Sequence, residues 1–156
     1  MKPSKHDFSA VAFGTMDGVI NVLGILLGVY AATKSTLAVV ASVVAGGVAN
    51  GIANAAGLHV SKEADGLRDH GKIFWVMLYG FIATFLTGMI QIVPLFFLPL
   101  DVGVYVGAFI GLLLLAILGY LNEKDISTSF EYALMGLVGG ILAYSLGTLV
   151  NSLIVG

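Results

Sequence analysis

Charged residues cut this chain into five long apolar stretches, and that division alone leaves few folds open to it. The stretches fall at about residues 10–33, 37–60, 73–98, 102–121 and 132–155. A helix of roughly 20 residues, rising about 1.5 Å per residue, crosses a hydrocarbon core of about 30 Å. Lipid offers no water to backbone N–H and C=O groups, so segments too long for barrel strands must satisfy their hydrogen bonds as helices. Composition agrees: 58% of residues are hydrophobic and 10% charged, with a mean hydropathy of +1.01, against roughly 25% charged in a soluble domain. The expected fold is all-α, a single transmembrane domain over residues 1–156 with five membrane-spanning helices. No second domain fits in the remainder.

The distribution of positive charge sets an expected orientation. Lys2, Lys5, Lys62, Arg68, Lys72 and Lys124 fall in the N-terminal tail and in the connections after the second and fourth spans, whereas Lys34 stands alone on the other side. By the positive-inside rule the N-terminus is cytoplasmic and the C-terminus outside. Lys2 and Lys5 before an apolar run resemble the start of a signal peptide, but the only nearby Ala-x-Ala tripeptide, Ala10 to Ala12, precedes that run instead of following it. The first stretch therefore reads as a retained span. An odd span count excludes two inverted halves within one chain, so symmetry at the site requires a second copy. The absence of cysteine excludes disulfides and thiolate metal ligands.

Asp17 is the only acidic or basic side chain between Asp7 and Lys34. A carboxyl group within a span is costly, and its default reading is part of a pathway for ions or protons. At 100° per residue, Gly14, Asp17, Asn21, Gly24 and Gly28 share about 80° of arc on the first helix. On the second helix Gly47, Asn54, Gly57, Ser61 and Asp65 lie within about 60° of Asn50. Glycines let backbones approach, and amide or carboxyl groups then find partners across the contact. These two faces are expected to meet each other or their symmetry mates, with Gly14, Gly24, Gly28, Gly47 and Gly57 as packing positions. Asn21, Asn50 and Asn54 are either oxygen ligands beside Asp17 or interhelical hydrogen-bonding groups.

His59 and Glu63, four residues apart, can touch and could offer a metal a nitrogen and an oxygen. They sit off the polar stripe, at the expected cytoplasmic end, where with Asp65 and Glu131 they are candidates for a cation entrance. Glu131 and Gln91 read equally well as interfacial anchors. Lone methionines in membrane helices are more often packing residues than sulfur ligands. No phosphate-binding loop, paired-cysteine site or Ser-His-Asp set is present, and no nucleophile and base fall at matching depth, so an enzyme is not expected. Nothing points to nucleic acid.

Asp17-Gly18 within FGTMDGVINVLGILLGV, and Gly47-Val48-Ala49-Asn50 within AGGVANGIANAAG followed by a charged helix end, resemble the vacuolar iron transporter family, whose yeast relatives are calcium-cross-complementer-like proteins. The resemblance runs over essentially the whole chain. It implies five spans with a cytoplasmic N-terminus, a homodimer whose first two spans line the path, and export of Fe²⁺ or Mn²⁺ from the cytosol in exchange for protons. Asp17 matches the family's first-span aspartate and Asn50 its second-span asparagine. Asn54 stands where many members have an acidic residue. The family's Ser-Met pair would fall at Gly57-Leu58, its Gly-Glu near Ser61-Lys62, and its long acidic cytosolic insert is reduced to about a dozen residues.

Two functions follow as expectations. In the first, Asp17 is the intramembrane ligand and proton acceptor of a divalent-metal/proton antiporter, and Asn21, Asn50 and Asn54 supply neutral oxygens suited to Mn²⁺ or Fe²⁺. Burial favours the protonated carboxyl and a neighbouring cation favours the ionised one, so metal and proton exclude each other. The metal is cargo, and no tightly bound cofactor is expected. In the second, the protein is a non-transporting scaffold or small cation channel whose buried polar groups hold the dimer together. The expected location is a cell membrane, with a prokaryotic plasma membrane favoured by the brevity of the chain.

Overall fold

A computed structural model describes residues 5–155; Lys2, counted above on the basic side, lies outside the described residues. The chain forms five helices: α1 (Lys5–Thr33), α2 (Thr36–Ala64), α3 (His70–Ile92), α4 (Leu100–Glu123) and α5 (Ile126–Ile154). All five are long and apolar enough to cross a membrane, with mean hydropathy between 1.8 and 2.5 over their most apolar windows. Large apolar side chains cover the outside, among them Phe109, Phe130, Leu146 and Leu153, each more than half exposed. In water such a surface would be far larger than a monomer tolerates, whereas lipid removes that penalty.

All five helices start before the expected spans, with polar residues as caps at several starts, whereas α3 ends at Ile92, short of the expected residue 98. Asp69 accepts from the backbone N–H groups of Gly71 and Lys72, at 3.1 and 3.2 Å, and starts α3. Asp125 accepts from Thr128 N–H at 3.2 Å and starts α5 at Ile126, six residues before the expected boundary. Each cap satisfies donors that a helix start leaves unpaired. Pro94 lies in a short 3-10 segment, Val93–Phe96, that ends α3, and Pro99 precedes α4. The tight α4–α5 turn places Lys124 in the left-handed region at φ 57°.

The central element is α1, which packs against all four other helices and most extensively against α3 and α5. The α2–α3 pair lies on one side of it and the α4–α5 pair on the other. Close approach to α5 depends on glycine: a Cβ on Gly147 would collide with Gly28 O, and Asn151 Nδ2 donates to Ala32 O at 2.7 Å to fix the helix ends together. The buried side chains Val22, Leu26, Tyr30, Val39, Val43, Ile92, Leu95 and Val104 fill the half away from the N-terminus. Tyr30 closes that end by donating to Asp101 Oδ1 at 2.6 Å, with Lys34 Nζ lying 3.6 Å from the centre of its ring.

The expectation that the small face of α1 meets α2 is corrected in part. Gly14 packs on Gly80 and Thr84 of α3, while Gly24 and Gly28 face Ala143 of α5. On α2, Gly47 receives Met89 and Phe85 of α3, and a Cβ at Gly57 would meet nothing within 4 Å. One helix surrounded by four neighbours spends its small residues on several contacts, so an arc on a helical wheel does not imply one partner.

Candidate functional site

The polar set at the middle of the bundle is assembled by three helices. Asp17 on α1 is half-buried, and its Oδ2 accepts from Asn50 Nδ2 at 2.5 Å and from Asn54 Nδ2 at 2.7 Å, both on α2. Asn54 is buried and donates its second amide hydrogen to Thr84 Oγ1 on α3 at 2.9 Å. Thr84, 1% exposed, donates in turn to Gly80 O at 2.9 Å within its own helix. The order Asp17, Asn54, Thr84, Gly80 is thus a hydrogen-bonded chain in which every donor has an acceptor. Both amides turn their NH₂ side towards Oδ2, the orientation that an ionised carboxyl group, which can only accept, requires.

Glycine makes the site possible. A Cβ at Gly14 would lie 3.0 Å from Thr84 Oγ1, and one at Gly18 would lie 2.8 Å from both Thr84 Cα and Thr87 Oγ1. These two glycines flank Asp17 in sequence and bring α3 against α1 at the level of the carboxyl group. The tight contact delivers Thr84 to Asn54 and thereby orients Asn54 on Asp17.

Among the described residues only Oδ2 of the carboxyl group is engaged. Among the described residues, Gln91 Oε1 is the single fully occluded side-chain acceptor or donor lacking a partner. Asp17 Oδ1 is not among such occluded atoms. A cavity of about 350 Å³ opens between α1 and α2 and is lined by Ser9, Phe13, Asn54, Gly57, Ser61 and Lys62 among others. It spans from Lys62 at the end of α2 to Asn54, eight residues or about 12 Å deeper along the helix. A second cavity, of about 310 Å³, flanks the other side of α1 near Met16, Asn122 and Tyr132. A third, of about 460 Å³, is lined mostly by apolar side chains of α1, α4 and α5, including Leu27, Ala108, Phe109 and Ile141, and none of its lining residues belongs to the polar set.

The remaining expected site residues lie apart. Asn21 is exposed and makes no side-chain hydrogen bond among the described residues, so the structure does not bring it into the Asp17 set. His59 Nε2 and Glu63 Oε1 stand 3.4 Å apart, each a little over one-third exposed. Asp65 Oδ2 is engaged by Lys62 Nζ at 2.9 Å, and Glu131 is exposed at the start of α5. Among the described residues no group of three or more His, Asp or Glu side chains could hold a metal ion. The donor set at the centre is therefore one carboxylate, two amides and one hydroxyl.

Thr84 was not among the expected residues. Its signal was present: Gly80, Thr84, Thr87, Gly88 and Gln91 repeat at spacings of three and four, which places a small and polar stripe on α3. Comparison of the chain with protein-family models, with characterised proteins and with solved structures gives no match.

Proposed function

We propose that this protein carries a divalent cation, Fe²⁺ or Mn²⁺, out of the cytosol in exchange for protons, as a homodimer with its basic end cytoplasmic. The observation that carries this reading is the Asp17 carboxyl group itself: held inside a span by Asn50 and Asn54, with one oxygen unengaged among the described residues and Asn54 opening onto a vestibule. Ion exchange requires an intramembrane acid that water can reach, and Asn54 joins Asp17 to the cavity wall.

The chemistry follows from the amides. With Asp17 ionised and no cation beside it, Asn50 and Asn54 supply N–H donors to the carboxylate. A cation reverses that demand, and turning each amide about its last torsion exchanges NH₂ for C=O. The same side chains then offer oxygens to a hard or borderline ion. Thr84 Oγ1 remains beside Asn54 as a further oxygen. A proton on Asp17 competes with the metal for one carboxylate, which couples the two fluxes. One carboxyl group releases one proton, so an electroneutral exchange for a divalent cation needs two such groups. A second copy of the chain supplies the other. Exposed Asn21 and the exposed row Ala41, Ala45, Ala49 and Ala53 on α2 support such a contact, since small residues and amides associate helices in lipid.

One observation favours the alternative of a non-transporting scaffold: both amides face Asp17 as donors, which is also what a purely structural hydrogen bond needs. Flux separates the two. Proteoliposomes containing the protein should take up Mn²⁺ or Fe²⁺ under a pH gradient, and Asp17→Asn should abolish that uptake. Equal uptake by the variant would refute the assigned role, and no uptake by the unaltered protein would favour the scaffold.

A further inference from the structure

We infer that Lys62 is a tethered cation stationed in the vestibule, where it competes with entering metal for Asp65 and sets the charge that an ion meets on the way to Asn54. The inference rests on the proposed transport reading for its purpose, though not for its test.

A lysine at the end of a membrane helix ordinarily extends its amine into water. Lys62 is instead buried, at 9% exposure, while its partner Asp65 is 55% exposed at its side chain. Its Nζ donates to Asp65 Oδ2 at 2.9 Å, and its side chain forms part of the vestibule wall with Ser61 and Asn54. The residue thus joins the cavity wall to the exposed Asp65 carboxylate. Asp65 reads from sequence as a collector of cations, but in the folded chain that carboxylate already holds one. An incoming ion that reaches Asp65 competes with Nζ for that carboxylate and meets both charges of the pair.

The chain has no cysteine, and Gly57, exposed in the vestibule wall, has room for an added side chain. Gly57→Cys therefore gives a single thiol in the same cavity wall as Lys62. Its reaction rates with a cationic and with a neutral thiosulfonate reagent of similar size, taken as a ratio, report local potential, because any change in thiolate fraction affects both rates alike. Lys62→Gln in this background should raise the cationic-to-neutral ratio by roughly tenfold. Lys62→Arg should leave it unchanged. Asp65→Asn should lower it, in protein shown by its melting temperature to be folded. An unchanged ratio in Lys62→Gln and Asp65→Asn overturns the inference, as does failure of both reagents to react, which would mean that the vestibule holds no water. Loss of the transport reading shows separately, as absence of Mn²⁺ flux with the reagent ratios intact.

Discussion

Asn54 and Asn21 fall within the polar stripes of their helices, yet the structure gives them opposite weights, and that difference can be measured. Asn54 is buried and donates to both Asp17 and Thr84, at 2.7 and 2.9 Å. Replacing it with alanine removes a hydrogen bond to a charged group, worth about 1.5–3 kcal/mol, and a neutral one worth about 1 kcal/mol. Part of the first is recovered because Asp17 keeps Asn50 and is only half-buried. The net cost of Asn54→Ala should be about 2–3 kcal/mol, which at about 2–4 °C per kcal/mol for a chain of this length lowers the melting temperature in detergent by roughly 5–10 °C. Asn21 is exposed and makes no hydrogen bond among the described residues, so Asn21→Ala should change monomer stability by less than about 0.5 kcal/mol. Thermal unfolding of both variants at a detergent concentration that keeps the protein monomeric decides the matter. Equal shifts, or a larger shift for Asn21→Ala, would refute the assignment of the polar set.

Gly18→Ala should destabilise the bundle by about 1–3 kcal/mol by forcing α1 from Thr84 and Thr87, whereas Gly57→Ala, with open space at its Cβ, should melt like the unaltered protein. Mn²⁺ should raise the melting temperature of the unaltered protein, because a ligand that binds only the folded state stabilises it; Asp17→Asn should lose that response, and an equal rise in both would place the metal elsewhere. The Asp69 carboxyl is held below its usual range, chiefly by the backbone N–H of Lys72 and then by the Lys72 side chain. Its capping contribution should be complete above the ordinary Asp value, near pH 4, and fade as pH falls through the lower folded value. Hydrogen exchange at the Gly71 and Lys72 amides, corrected for intrinsic rate, should show this loss of protection on acidification, and Asp69→Ala should show weak protection at every pH.

The five helices were legible because charge punctuates the chain, and burying a backbone in lipid allows little besides helix. Their ends were less legible, since the same polar residues that mark an interruption also cap helices, as Asp69 and Asp125 do. Asp17, Asn50 and Asn54 could be found from cost and spacing alone. What a helical wheel could not assign was the neighbour in each sector, because α1 has four of them. Asn21 consequently fell outside the set, Gly24 and Gly28 went to α5, and Thr84 entered from a helix whose polar residues, taken singly, resemble ordinary threonines. The Lys62–Asp65 pair was hidden for another reason: sequence shows that opposite charges are three residues apart, but not that one of them is buried in a cavity wall.

Simultaneous recording of internal pH and internal Mn²⁺ in proteoliposomes tests exchange at Asp17 most directly. Protons and metal should move in opposite directions, starting together and each requiring the other, and both movements should be absent in Asp17→Asn. Mn²⁺ movement with no accompanying pH change, or paired movements that survive Asp17→Asn, would contradict it.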